Sequence, residues 1–215
     1  MHPSRLAGRL ITLYVGLVLF GVSMAMLVEA RLGVMPWDVL HQGIARRTGL
    51  SLGTTVIVVG FVVLLLWIPL RERPGFGTLS NVVVIGLVLD LAVQVLPTPG
   101  GLTGRIALVA GGIVLNAFAT LVYIAARMGS GPRDGLLTGL LRLTRLPAGA
   151  LKVAIEVSVV AVGWVLGGTV GVGTIAFAVC VGPMIQLLGA LVPALALTEP
   201  APTPEPAALV PEPCG

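Results

Sequence analysis

Six runs of apolar residues, each about as long as a bilayer-crossing helix, occupy most of this 215-residue chain. A bilayer core of about 30 Å needs about 20 residues of α-helix, because each residue advances the helix by about 1.5 Å. The predicted spans are Leu10–Ala30, Leu52–Leu70, Thr78–Pro97, Arg105–Ala126, Ala148–Gly167 and Gly173–Leu195. The breaks between them contain Gly, Pro and charged residues. This pattern predicts an all-α polytopic membrane protein.

The composition excludes several other classes of protein. Only 10% of the residues are charged and 56% are hydrophobic, whereas a soluble domain has about 25% charged residues. A soluble enzyme and a disordered protein are therefore excluded. The net charge of +4 does not indicate a nucleic-acid-binding protein, because the arginines lie in short connectors and form no basic face.

The two ends of the chain are predicted to lie outside the membrane. Residues 1–9 are expected to form a cytoplasmic N-terminal tail. The first apolar run has 21 residues, longer than the signal-peptide core of about 7–15 residues, so it is predicted to be an uncleaved span. Residues 198–215 are rich in Pro and Glu and are predicted to be disordered.

The spans form two copies of one unit. Residues 11–97 align with residues 107–193 at a constant offset of 96 without a gap. The strongest match is between Ala30–Gly53 and Ala126–Gly149, where 11 of 24 positions are identical. Apolar identities are common by chance in this composition, so the matched Arg, Gly, Pro and Asp residues carry the argument. The chain is therefore predicted to contain repeat 1 in residues 10–97 and repeat 2 in residues 106–195.

Three spans in each repeat would invert the second copy relative to the first. With a cytoplasmic N-terminus, the predicted inner segments hold nine Arg and Lys residues and the outer segments hold four. This distribution predicts that both termini are cytoplasmic. The alternative is that the connectors Pro36–Thr48 and Pro132–Thr144 also cross, which would give parallel repeats. Their 13 residues span about 20 Å, which favours short re-entrant or interfacial helices.

Each connector carries the motif Gly-x-x-Pro-x-Asp. Pro36 and Pro132 suit the first position of a helix, where the missing N–H would have no partner. Asp38 and Asp134 fall in the first turn, near free N–H groups and the positive end of the helix dipole. One interpretation is that these Asp residues only cap the helices. The other is that both helix starts point into a shared cavity, because broken helices at matching positions of two repeats indicate a transporter binding site.

Further candidate site residues lie at the ends of spans and inside them. Arg31 and Arg127 end the first span of each repeat, where they either anchor it at the headgroups or help to hold an anion. The candidate polar residues inside the spans are Asp90, Asn81, Asn116, Lys152, Glu156 and Gln186. Asp90 is expected to face the bundle interior with a polar partner, because a lone carboxylate in lipid is costly. Lys152 and Glu156 are four residues apart, so a structural ion pair is the alternative to a site role.

Two segments, LGVMPWDVLHQGIARRTGLSLGT and PGFGTLSNVVVIGLVLDL, resemble the YczE branch of the YczE/YyaS/YitT family of bacterial integral membrane proteins. The Pro-Trp-Asp triplet of the first and the Gly-x-Gly-Thr at Gly75–Thr78 are the most specific pieces. Repeat 2 departs from this pattern, with Arg133 in place of Trp37 and Leu137 in place of His41. The resemblance implies a location in the bacterial plasma membrane, and it brings no activity, cofactor or binding residue.

The duplicated broken-helix motif predicts a secondary permease for a small, anionic solute. The alternative is a non-transporting accessory or scaffold protein that supports a partner enzyme or regulator, because few intramembrane polar groups are available for coupling ions. The sequence contains no nucleophile–base motif and no metal-ligand spacing, so we expect no enzymatic activity and no cofactor. The expected partners are the lipid bilayer and a small-molecule solute, with a homodimer also compatible and no nucleic acid.

Overall fold

A computed structural model describes residues 3–144 and 146–192, which form eight α-helices and no strand. The helices are α1 Pro3–Ala30, α2 Pro36–Thr48, α3 Leu52–Leu70, α4 Phe76–Val95, α5 Leu102–Ala125, α6 Pro132–Thr144, α7 Ala148–Val165 and α8 Val172–Leu191. All except α2 and α6 are long and apolar enough to cross a membrane. The prediction of an all-α, multi-pass membrane protein is confirmed. The predicted disordered tail, residues 198–215, lies outside the described residues.

The bounds of the predicted helices agree closely with the structure. The bounds of α2, α3 and α6 are those predicted, whereas α1 begins at Pro3 and not at Leu10. The Arg9 side chain donates hydrogen bonds to the backbone oxygens of Ala126, at 2.8 Å, and Arg127. This part of α1 therefore contacts the chain just after α5, whereas Leu6, Ala7 and Gly8 are exposed.

The equivalent helices α1 and α5 pack against each other in antiparallel directions. Gly16 contacts the backbone of Tyr123, and Gly112, its equivalent in repeat 2, contacts Leu27. A Cβ at Gly16 would lie 2.6 Å from the Tyr123 backbone nitrogen, so this close approach needs Gly. The Gly of each repeat thus contacts the same position of the other repeat, as expected for two units related by a two-fold rotation.

Each backbone break is held by the opposite repeat. The Gly77 N–H at the start of α4 donates to the Met128 oxygen after α5, and the Gly173 N–H at the start of α8 donates to the Leu32 oxygen after α1, both at 2.8 Å. The Gly-x-Gly-Thr segment of each repeat therefore fixes the break that precedes the short helix of the other repeat.

The two breaks also share an unusual backbone conformation. Arg31 and Arg127 both have φ of +52°, and Gly33 and Gly129 have φ of +115° and +129°. Glycine adopts such values at no steric cost, whereas other residues pay for them. The repeated Arg and Gly therefore mark a sharp change of chain direction between the span and the short helix.

Each short helix packs on a span of the other repeat. Gly163 of α7 lies against the backbone of α2, and a Cβ there would be 2.4 Å from the Leu40 nitrogen. In the equivalent place, the Trp67 ring of α3 covers Gly135 of α6, and its indole N–H donates to the Pro132 oxygen at 3.0 Å. The start of α2 is consequently buried, whereas the start of α6 is buried at Pro132 and Gly135 and exposed at Asp134.

Candidate functional site

A cavity of about 290 Å³ lies where the starts of α2 and α6 meet. Most of its lining consists of pairs of residues that are 96 positions apart and therefore equivalent in the two repeats. The ten pairs are Phe20/Asn116, Met35/Gly131, Pro36/Pro132, Trp37/Arg133, His41/Leu137, Val56/Lys152, Val59/Ile155, Gly60/Glu156, Asn81/Phe177 and Ile85/Val181. Equivalent residues of both repeats therefore line the same cavity.

The two repeats contribute different chemistry to this cavity. In six of the ten pairs, one member is polar and the other is apolar or Gly. All the charged members belong to repeat 2, namely Arg133, Lys152 and Glu156, and the unpaired Asp134 also lines the cavity. Repeat 1 has Trp, Val or Gly at the equivalents of those three paired residues. The two repeats therefore contribute equivalent backbone positions to the cavity, but only repeat 2 contributes charged side chains.

Asp38 lies behind the cavity wall with its side chain completely buried. Its Oδ1 is 2.9 Å from His41 Nδ1 and 3.8 Å from Nη2 of Arg133 in the other repeat. Because a carboxylate only accepts hydrogen bonds, a neutral His41 must carry its proton on Nδ1. The other carboxylate oxygen, Oδ2, is buried without a hydrogen-bond partner among the described residues. The contacts of Asp38 thus connect the two short helices.

Asp134 has different partners from its equivalent, Asp38. Its Oδ2 accepts a hydrogen bond from the Tyr123 hydroxyl at 3.3 Å, and the side chain faces the cavity. The Asp134 side chain is exposed at the cavity, whereas that of Asp38 is completely buried. Burial lowers the pKa of His41, although the hydrogen bond to Asp38 acts in the opposite direction, because the charged imidazolium loses its hydration.

Arg133 connects the charged and aromatic parts of the site. Its guanidinium lies over the Trp37 ring, 5.1 Å from the ring centroid, in a cation–π arrangement. The side chain is 29% exposed, so it remains accessible from the cavity. A guanidinium has five N–H donors, more than one carboxylate oxygen at 3.8 Å can occupy. Arg133 can therefore bind an anionic ligand in the cavity.

Four of the predicted polar residues line the cavity, namely Asn81, Asn116, Lys152 and Glu156. The Asn116 side chain donates to the Ser23 hydroxyl at 2.9 Å and connects α5 with α1. Lys152 Nζ is 3.9 Å from Glu156 Oε1, so these two residues form an ion pair at the cavity wall.

Besides Asp38, which lies behind the wall, four predicted site residues do not line the cavity, namely Asp90, Gln186, Arg31 and Arg127. Asp90 accepts hydrogen bonds from the Gly53 N–H, at 2.7 Å, and the Ser51 hydroxyl, so it caps the start of α3. Gln186 and the two arginines are exposed. The cavity is also lined by four residues that were not predicted from the sequence as site residues, namely Trp37, His41, Tyr123 and Arg133. The signal for Arg133 was a charge gained within a repeated Pro-x-Asp motif.

The fold and the cavity define a multi-pass α-helical membrane protein with a charged cavity between two diverged repeats. The chain belongs to a family of unknown function (DUF6198), whose family model matches residues 7–190. No solved structure matches the chain.

Relatives in two bacteria confirm the resemblance to the YczE branch. The chain is 29% identical to an uncharacterized membrane protein, YczE, of Bacillus subtilis over 175 residues, which are 80% of this chain and 81% of YczE. It is 22% identical to the uncharacterized protein YyaS of the same organism over 175 residues, 80% of this chain and 87% of YyaS. An uncharacterized protein of Haemophilus influenzae is 38% identical over 170 residues, 79% of this chain and 78% of that relative.

Proposed function

We propose that this protein is a secondary permease whose solute binds in the cavity between the repeats. The observation that carries the proposal is the lining of that cavity by ten pairs of equivalent residues, including both helix-starting prolines. In transporters built from repeats, the substrate site lies at the repeat interface beside broken helices. Two halves that meet around one site can rock against each other and expose it to either side.

The solute carries an anionic group that binds to Arg133. A planar guanidinium binds a carboxylate or phosphate through two parallel hydrogen bonds. The starts of α2 and α6 at the cavity add the positive ends of two helix dipoles. Asp38, 3.8 Å from the Arg133 guanidinium, balances its charge in the absence of solute and competes with the solute for it.

The size of the cavity suits a small ligand. Its volume of about 290 Å³ is close to the lower end of the range of small-molecule pockets, about 300–1,000 Å³. A scaffold protein would not need such a space between its repeats. We assign the Asp38–His41 pair to the charge balance of Arg133, so the proposal includes no enzymatic step.

We place the protein in the bacterial inner membrane with both termini in the cytoplasm. Membership of a family with bacterial relatives supports the location, and the nine-to-four distribution of basic residues supports the orientation. The antiparallel packing of α1 and α5 supports inverted repeats. In this topology, α2 and α6 are re-entrant helices that enter the membrane from opposite sides.

The variant Arg133→Gln tests the permease. A strain that lacks the protein would be complemented with the wild-type, Arg133→Gln or Arg142→Gln, and its internal and external metabolites would be compared. Arg142 is a matched control because it is on the same helix, 57% exposed, and paired with Glu72. An exposed pair of this kind contributes about 0–1 kcal/mol.

We expect the deletion to change the distribution of at least one anionic solute, and the wild-type and Arg142→Gln to restore it. Arg133→Gln should slow uptake of that solute at least about tenfold, because a charge-assisted hydrogen bond contributes about 1.5–3 kcal/mol. All three proteins must reach the membrane in equal amounts. A deletion strain with wild-type levels of every solute would contradict the permease.

A further inference from the structure

An apolar groove of about 590 Å³ is lined by residues of α2, α3, α6 and α7. We call it the side groove. Its lining is apolar apart from Ser158. Val58, Val62 and Leu66 on its outer edge are about half exposed. In a membrane these side chains face lipid, so the side groove opens towards the acyl chains.

The side groove adjoins the charged cavity across a few side chains. Trp37, Val59, Val63 and Ile155 line both spaces. One face of the Trp37 ring carries the Arg133 guanidinium. A ligand bound to Arg133 is therefore separated from the side groove by a single layer of side chains.

Charge is confined to one side of this shared wall. Arg133, Lys152, Asp134 and Glu156 line the cavity, and none of them lines the side groove. A ligand that fills both spaces therefore needs basic and acidic groups at one end and an apolar chain at the other. A polar group in the side groove would lose its hydrogen bonds to water without compensation.

We propose that the solute is a zwitterionic, single-chain amphiphile that reaches the cavity sideways from the bilayer. This inference rests on the permease function proposed above and specifies its substrate class. The anionic group of the head binds to Arg133, and the cationic group binds to Asp134 or Glu156. The apolar chain lies in the side groove along α7.

Photo-crosslinking tests this assignment without knowledge of the natural solute. The probe is a lysophosphatidylethanolamine with a diazirine in its chain, added to the full-length protein in phosphatidylcholine nanodiscs. Ser158→Trp fills the side groove, and Ala154→Trp, one turn earlier, is a second variant with the same purpose. Val157→Trp is the matched control, because Val157 is the 60% exposed neighbour of Ser158 and does not line the groove.

We expect the probe to label residues of the side groove, and unlabelled lysophosphatidylethanolamine to compete with it. Either groove-filling variant should reduce this labelling at least about fivefold, since the chain loses its site, whereas Val157→Trp should leave it unchanged. Equal labelling of all lipid-facing helices would overturn the inference by showing ordinary boundary lipid. Crosslinks between two protein copies in the groove would overturn it by identifying a second copy as the occupant.

Two further results separate this inference from the permease itself. Equal labelling by an anionic lysophosphatidylglycerol probe would overturn the zwitterionic head. Failed labelling beside a successful metabolite test would overturn the amphiphile and leave a permease for a water-soluble solute. Groove labelling without any transported solute would uphold amphiphile binding and overturn the permease.

Discussion

The two short helices begin with the same Pro-x-Asp sequence and follow equivalent breaks, yet their carboxylates have different environments. Asp38 is completely buried beside His41 and Arg133, whereas Asp134 lines the cavity and accepts from Tyr123. The two helices have equivalent backbones, but the side chains that contact Asp38 differ from those that contact Asp134. The residues that both repeats retain thus determine the path of the chain, and the residues that differ determine the chemistry of the cavity.

The packing of the short helices shows the same division. On α6, the large Trp67 of α3 covers Gly135. At the interface of α2 with α7, the repeat equivalent of Trp67 is Gly163 of α7, and that of Gly135 is Val39 of α2. The larger residue is therefore on the span at one interface and on the short helix at the other. The backbone of α7 consequently approaches α2 closely. The two interfaces should therefore respond differently to added volume.

The largest effect is expected for Gly163→Ala. The new Cβ would lie 2.4 Å from the Leu40 backbone nitrogen, and α2 would have to shift to accommodate it. We expect a loss of about 3 kcal/mol in the free energy of unfolding, measured by denaturant titration in detergent micelles. Gly182→Ala is the control, because the described residues leave its Cβ position open to 4 Å. It should be neutral or stabilising by up to about 1 kcal/mol. Equal stability of the two variants would contradict the close packing of α7 on α2.

An intermediate effect is expected for Asp38→Asn, and a smaller one for Asp134→Asn. The first variant leaves Arg133 without its nearest counter-charge and should cost about 2 kcal/mol. This is less than the about 3–5 kcal/mol of a fully buried pair, because Arg133 is partly exposed. The second variant keeps an oxygen that accepts from Tyr123 and should cost about 1 kcal/mol or less. Unfolding in the same micelles would measure both, and equal losses would indicate two simple caps.

The double variant Asp38→Asn with Asp134→Asn separates a binding role from a structural one. If both residues only stabilise their helices, the two losses should add and uptake by the surviving protein should remain normal. If they belong to the site, uptake should fail while the protein still reaches the membrane at a normal level. Normal uptake in the double variant would remove both carboxylates from the site.

The smallest effect is expected for Gln186→Ala, at the repeat equivalent of Asp90. Asp90 accepts from Gly53 and Ser51 at the start of α3, so Asp90→Ala should cost about 1 kcal/mol, as the loss of a helix cap does. Gln186 is exposed, so Gln186→Ala should stay within about 0.5 kcal/mol. Thermal unfolding in micelles would measure the pair. A larger loss of stability in Gln186→Ala than in Asp90→Ala would contradict this prediction.

Most of the fold could be predicted because its signals are local. Span length follows from bilayer thickness, and the prolines at the first helical position mark the starts of both short helices. The positions of Asn81 and Asn116 at the cavity follow the expectation that polar groups inside a bundle avoid lipid. That Asn81 and Asn116, from different repeats, line the same cavity is visible only in the tertiary structure.

The remaining site residues depend on packing that one sequence does not display. In the sequence, Trp37 looks like an ordinary core residue. It lies under Arg133 only because the starts of α2 and α6 are close together in the structure. The repetition of Arg31 and Arg127 suggested a binding role, yet both lie outside the cavity and share a φ of +52°. A polar identity between repeats can therefore reflect a common helix ending as well as a common ligand.

The exchanged hydrogen bonds at the breaks also have a consequence for biogenesis. The Leu32 carbonyl accepts from the Gly173 N–H, which is synthesised 141 residues later, so this hydrogen bond cannot form while only the first repeat has entered the membrane. The break after α1 acquires its partner only when α8 arrives, whereas the break after α5 finds its partner, Gly77, already synthesised.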